Sequence, residues 1–268
     1  ISEHGTISLS GSNEWIASRR TIEFSPLGLA IDIGTTTVAV VLDDLETDKA
    51  LGSASAYNRQ SICGDNVASR ISYASYNSNG LERLQELIIE ETLNPLIKRL
   101  LSSCGKKSED IIKVSIAGNT VMTHIALGLS PESIGQFPFT PLYRKFPALS
   151  AASIGLEINP DALVICAPAV SGYIGGDITA GMISTGQYLH QGKSLLIDIR
   201  TNCEIALHDN GQFFATAAAA GPAFEGAGIA CGSRAASGAI DKIRIDEKLN
   251  ISFSTIENAA PAGLCGSG

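Results

Sequence analysis

The chain has 268 residues, 44% of them hydrophobic and 17% charged, with 19 Lys and Arg against 27 Asp and Glu for a formal charge of -8. That length and apolar content support one large or two ordinary cores in a soluble globular protein, and an acidic balance unbroken by any basic run argues against nucleic acid or an anionic membrane as partner. No window approaches the roughly 20 apolar residues of a membrane span, and no basic segment precedes an apolar one at the N-terminus, so a cytoplasmic location is expected.

In chain order, residues 1–27 are polar, end in the turn "SPLG", and read as a linker or edge segment. Three β runs follow, Leu29 to Ile33, Thr37 to Leu42 and Leu51 to Tyr57, with turns at Gly34–Thr36 and near Thr47–Lys49; an antiparallel meander is expected. Leu84, Leu87, Ile88, Ile97, Leu100 and Leu101 recur at near-helical spacing across 81–103, which predicts one amphipathic helix bent or broken before Pro95. Residues 114–129 read strand, Gly118-Asn119 turn, helix, and 162–183 repeat that order with a longer turn. Strands feeding helices through glycine turns indicate an α/β layer.

A second meander is expected at Leu195 to Ile199, Cys203 to Leu207 and Phe213 to Ala217, with "DNG" at 209–211 as its second turn. A small-residue segment and then a helix should follow it. Asp198 lies 166 positions after Asp32, the separation of two lobes rather than of a solenoid repeat. The chain opens on Ile1 and stops at "GLCGSG", which reads as a piece of a longer polypeptide.

The cysteines, at 63, 104, 166, 203, 231 and 265, are all far apart, with no CxxC pair or other short metal-ligand spacing. Cys63, Cys166, Cys231 and Cys265 lie in apolar or glycine-rich surroundings and read as small buried hydrophobes in a reducing compartment. His124 in its apolar helix reads as a satisfied histidine, and His190 and His208, near loops, carry no ligand pattern.

The chemistry concentrates in two turns. "LAIDIGTTTVAVVLDD" at 29–44 and "LLIDIRTNCEIALHDN" at 195–210 share an apolar strand, Asp-Ile, a polar turn containing Thr and a second strand. A glycine in such a turn lets the backbone approach a phosphate, amides and threonine hydroxyls donate to it, and the aspartate holds a magnesium ion, often through water. Positioning and charge neutralisation of that kind are most of what phosphoryl transfer needs. Either turn alone is also an ordinary hairpin; the shared Asp-Ile-x-Thr order favours the functional reading.

With these motifs "GDNVASRISYA", "AGNTVMTHIALGL", "GYIGGDITAG", "AGPAFEGAGI" and "GLCGSG" occur in one order. Together they resemble the ATP-dependent reductive activators of corrinoid-dependent methyltransferases, within the acetate and sugar kinase, heat-shock chaperone and actin superfamily (ASKHA). The resemblance runs from about Leu29 to the last residue. It implies an α/β, actin-like (ribonuclease H-like) two-lobe ATPase fold, with a first lobe at 28–190 and a second, incomplete lobe at 191–268. It also implies use of ATP and Mg2+ to return a corrinoid protein from Co(II) to Co(I).

In that family the electron passes through an iron-sulfur cluster in a separate N-terminal domain, for which this chain shows no cysteine cluster. By position, Asp32, Gly34, Thr35, Thr36 and Thr37 form the first phosphate loop, and Asp198, Arg200, Thr201 and Asn202 the second. Asn119, Gly221 and Glu225 join the nucleotide site, and Asp32, Asp177 and Asp198 are the metal candidates. Asp177 reads equally as a helix N-cap. Asp32, Asp198 and Glu204 are the catalytic candidates, with Glu204 and Glu225 each placed after a small-residue turn where either could orient water. The corrinoid protein is the implied partner, and a homodimer stays open.

One departure stands out. The family's second loop reads Asp-Ile-Gly-Thr-Asn-Gly-Glu, and both glycines are replaced here, by Arg200 and Cys203. Where a glycine serves a positive φ or a close approach, a side chain costs about 1 to 3 kcal/mol or blocks the site. Arg200 then fills the phosphate site, reaches the phosphate as an added bidentate donor, or turns into solvent. The first reading makes the chain a docking module for a corrinoid protein with a blocked site. A small-molecule kinase is a further alternative, without a substrate signature of its own.

Overall fold

The computed structural model describes residues 7–9, 15–17, 26–199, 202–219, 230–233 and 237–265. They form two compact units. The first runs through Ile116 and includes Ile125–Leu129 and Pro147–Cys166; the second holds Ala117–His124, Ser130–Phe146 and the chain from Ala167. Within the segment read as a linker, Ile7–Leu9 (β1) and Trp15–Ala17 (β2) pair antiparallel.

The first unit is built on the expected meander: Leu27–Ile33 (β3), Thr37–Asp44 (β4) and Lys49–Tyr57 (β5), antiparallel throughout. Ile111–Gly118 (β6), Leu149–Ser150 (β7) and Leu163–Cys166 (β8) extend it to six strands in the order β5-β4-β3-β6-β8-β7, with β6 and β8 parallel. The pleat turns alternate residues to one face, so Leu27, Leu29, Ile31 and Ile33 and, opposite them, Val38, Val40 and Leu42 are all buried. Each fully buried side chain of this kind stabilises the fold by about 1.5 to 3 kcal/mol.

The helical stretch is longer and more continuous than its proline suggests. Gly80–Ile88 (α2) and Asn94–Cys104 (α3) are joined by a π turn at Ile89–Leu93, with no break before Pro95. Pro95 has no amide to donate, and it sits in the first turn of α3 immediately after the register change, where a missing donor does the least harm. A helix absent from the sequence reading, Val67–Tyr76 (α1), starts at a reciprocal cap: the Asn66 side chain accepts from the Ser69 amide at 2.9 Å, and the Ser69 hydroxyl accepts from the Asn66 amide at 3.2 Å.

In the second unit, Lys193–Ile199 (β9), Asn202–Asp209 (β10) and Gln212–Ala219 (β11) form the second expected meander. Asn210 and Gly211 close its hairpin with φ of 48° and 88°, the paired left-handed turn that matches strand twist. One face packs on Gly176–Ser184 (α5), with Ala206 and Leu196 against Ile174, Ile178 and Met182. The other face leaves Leu195, Ile197, Ile199 and Phe214 exposed, so these strands are covered on one side only.

The helix expected after the small-residue segment is not formed; strands stand there instead. Gly232–Ser233 (β12), Ala239–Ile245 (β13), Ile251–Thr255 (β14) and Gly263–Cys265 (β15) make a four-stranded sheet. The alternating β-branched and aromatic residues Ile243, Ile245, Ile251 and Phe253 decide this. Asp246 makes the connecting turn by accepting from the Lys248 and Asn250 amides, each at 2.8 Å. The cysteine expectation holds for Cys166, whose burial pushes its thiol up to about 11, and fails for Cys231, which is exposed because it lies in a turn. Among the described residues no helix is long and apolar enough to cross a membrane.

Candidate functional site

In the first unit the β3-β4 hairpin register pairs Ile33 with Val38 and Asp32 with Ala39, leaving Thr35 and Thr36 as the turn. Gly34 is buried, Thr35 and Thr36 half-buried and Thr37 exposed. The Gly34 amide donates to the Thr37 carbonyl at 3.1 Å. The turn's three carbonyls are then taken by groups outside the hairpin. Gly34 O accepts from Asn58 Nδ2 at 2.9 Å, Thr35 O from Arg70 Nη2 at 2.6 Å and Thr36 O from the Asn58 amide at 2.8 Å.

A trans peptide points its N–H opposite to the preceding C=O. The Thr35 and Thr36 amides therefore point away from Asn58 and Arg70. The turn directs these two N–H groups to one side, with the Gly34, Thr35 and Thr36 carbonyls bound on the other. That polarity fits a phosphate, which accepts and does not donate.

In the second unit, Asn119 ends the β6 turn and caps Thr120–Ala126 (α4): its Oδ1 accepts from the Met122 amide at 2.9 Å. Its oxygen is thus a helix cap first. Asp177 is not the N-cap of α5; Gly175 is, and Asp177 stands in the first turn, its Oδ1 accepting from the Ile178 amide at 3.0 Å. The two turns are in contact, because a Cβ on Gly175 would lie 2.5 Å from Asn119 Cα and 2.7 Å from both Gly118 O and Asp177 Oδ1. Asn119 and Asp177 are therefore brought together by a glycine with no room for a side chain.

Asp198 and Glu204 are direct cross-strand partners on β9 and β10, both half-buried. Being opposite in an antiparallel pair, they share the face that carries Leu196 and Ala206. Side chains so placed have Cβ atoms about 4.5 to 5.5 Å apart, and like charges there repel. Two converging carboxylates fit a hard divalent cation. Among the described residues, no group of three or more His, Cys, Asp and Glu side chains is placed to hold a metal. Asn202 begins β10 opposite Ala219. Arg200, Thr201, Gly221 and Glu225 lie outside the described residues. Cys203 is paired with Ile199 and Ala218 in regular extended strand, so the glycine it replaces is not needed there for a left-handed φ.

His124 is fully buried, as a satisfied histidine should be. Its Nε2 accepts from the Tyr143 amide at 3.3 Å, which leaves the proton on Nδ1 to donate to Thr120 O at 2.7 Å, and burial holds its pKa below the usual value. His208 is buried in β10, its Nε2 accepting from the Gly211 amide at 2.9 Å and closing the hairpin. The residues missed by sequence reasoning are Asn58, Gln60 and Arg70, all with no exposed surface. Arg70 lies inside the quoted "GDNVASR", so the motif was visible and its partners were not.

Residues 27–191 match the family description "RACo middle region", and residues 192–268 match "C-terminal domain of RACo the ASKHA domain". The corrinoid activation enzyme RamQ of Eubacterium limosum is 34% identical over 261 residues, covering 94% of this chain and 43% of that protein. The Co(II) methylated amine-specific corrinoid protein reductase of Methanosarcina barkeri is 29% identical over 227 residues, covering 81% and 40%. A solved structure described as a reductive activator for corrinoid,iron-sulfur protein superposes with a TM-score of 0.83 at 42% identity, covering 92% of this chain and 39% of that one. The chain spans about two fifths of the length of these relatives. Its fold is the α/β, actin-like ASKHA fold, and the chain belongs to the RACo family.

Proposed function

We propose that this chain is the nucleotide-binding body of an ATP-dependent corrinoid activator, serving a protein whose corrinoid is returned from Co(II) to Co(I). The observation that carries the reading is the Gly34–Thr36 turn, whose carbonyls are all bound from behind while its Thr35 and Thr36 amides point the other way. In this reading 1–27 is a linker, 28–190 the first lobe and 191–268 the second.

The roles divide by residue type. Thr35 and Thr36 donate amides, and Thr35, Thr36 and Thr37 hydroxyls, to phosphate oxygens, with Gly34 keeping the approach open. Asp32, Asp198 and Asp177 are the candidate Mg2+ ligands, directly or through water. Mg2+ when bound supplies neutralisation of the phosphate charge. Glu204 beside Asp198 orients water, and Arg200, Thr201, Asn202, Asn119, Gly221 and Glu225 complete the nucleotide contacts. The electron itself is expected from an iron-sulfur domain outside this chain.

Phosphate release measured with and without a Co(II) corrinoid protein tests the reading. We expect turnover that the corrinoid protein stimulates and that Asp198→Asn removes; turnover indifferent to both contradicts it. Regular strand at Cys203 removes the backbone-strain argument there, so the docking-module reading rests on side chains filling the site, Arg200 foremost. Tighter Mg-ATP binding by Arg200→Gly than by the parent chain supports a phosphate site that Arg200 fills.

A further inference from the structure

We infer that Arg70 and Asn58 are positioning residues of the phosphate turn, acting not by touching the nucleotide but by imposing the peptide orientation that receives it. This rests on the nucleotide-binding reading above. The hairpin needs such help. Two-residue connections that match strand twist use left-handed φ at one or both turn residues, as Asn210 and Gly211 do in the second unit. Neither Thr35 nor Thr36 is left-handed, and Gly34 is not either. The first turn therefore adopts a conformation that a bare hairpin does not favour, and the groups holding it come from another part of the chain.

Those groups form a sealed polar layer. Arg70 spreads its guanidinium over Thr35 O at 2.6 Å, Gln60 Oε1 at 3.1 Å and Gly64 O at 2.9 Å. Gln60 in turn donates its amide to Asn58 Oδ1 at 3.0 Å and its Nε2 to Leu84 O at 2.9 Å. The layer is seated on the π turn: the Arg59 amide donates to Thr92 Oγ1 at 3.2 Å, and Thr92 Oγ1 donates to Leu87 O at 2.7 Å, five residues back. Thr92 reaches Arg59 from the register the π turn creates. A planar guanidinium with five fixed donors serves three acceptors at once, which a lysine ammonium on a flexible stem does not reproduce.

The test is calorimetric titration of Mg-ATP into the parent chain, Arg70→Ala and Asn58→Asp, each also melted thermally. Asn58→Asp keeps the side-chain size and sets an oxygen against Gly34 O, so it decides the matter where Arg70→Ala fails to fold. We expect both variants to lose about tenfold or more in Mg-ATP affinity, and guanidinium ion at concentrations far below denaturing to restore affinity in Arg70→Ala without changing the parent. Folded variants that bind as the parent does overturn the inference. So does a loss that follows melting temperature in both variants and that guanidinium leaves untouched. A parent chain that does not bind Mg-ATP overturns the nucleotide reading, and this inference with it.

Discussion

Asp198 and Glu204 face each other across β9 and β10, and a directly opposed pair of like charges is a local cost of about 0.2 to 1 kcal/mol. A bound cation would offset that repulsion, so Asp198→Asn should lose the stabilisation that Mg2+ gives the parent. Melts with and without Mg2+ check this; equal response of the two chains to Mg2+ would remove Asp198 from the proposed metal site. His124 makes a different point. Its folded pKa is depressed by burial, so the unfolded chain binds its proton first, and stability contributed by the neutral ring is present above about pH 6.5 and lost as pH falls toward the lower folded value. His124→Gln should cost about 1 to 3 kcal/mol at pH 7 and flatten the decline between pH 7 and pH 5, read from melts at the two values.

At this scale the sequence was most informative on position: the repeated Asp-Ile order sets Asp32 and Asp198 near the ends of β3 and β9. It was silent on Arg70 and Asn58. An arginine is ordinarily exposed, and the carbonyls that bury this one come from Thr35 and Gly64, set beside it only by the fold.

Among the elements, both meanders were legible because alternation and the Asn210-Gly211 turn are local signals. Strand β13 was not, since its small-residue approach resembles a helix start, while pairing with β14 and β15 decides its state. Helix α1 was missed although its signal was present: Asn66 and Ser69 form the cap. Asn66→Ala should lower stability by about 0.5 to 2 kcal/mol, measured by urea unfolding, and no change would mean that packing alone starts the helix. The junction of α4 and α5 is less forgiving. A methyl at Gly175 meets the Asp177 carboxylate and, more rigidly, the backbone of Gly118 and Asn119, which cannot swing aside as a side-chain end can. We expect Gly175→Ala to cost more than about 3 kcal/mol; a melting temperature near the parent's would show that the two turns separate easily.

For the whole molecule, seven ordered motifs sufficed to read the family, and the RACo matches over 27–191 and 192–268 agree. The proposed nucleotide site was less legible, because the second turn departs from the family pattern at Arg200 and Cys203 and only Cys203 lies in described strand. The claim on which the rest depends is that the Gly34–Thr36 turn receives phosphate, and calorimetric titration of this chain with Mg-ATP and, separately, with adenosine tests it most directly. We predict saturable one-to-one binding of Mg-ATP and at least about tenfold weaker binding of adenosine; equal affinity for the two, or no heat with Mg-ATP, would contradict it.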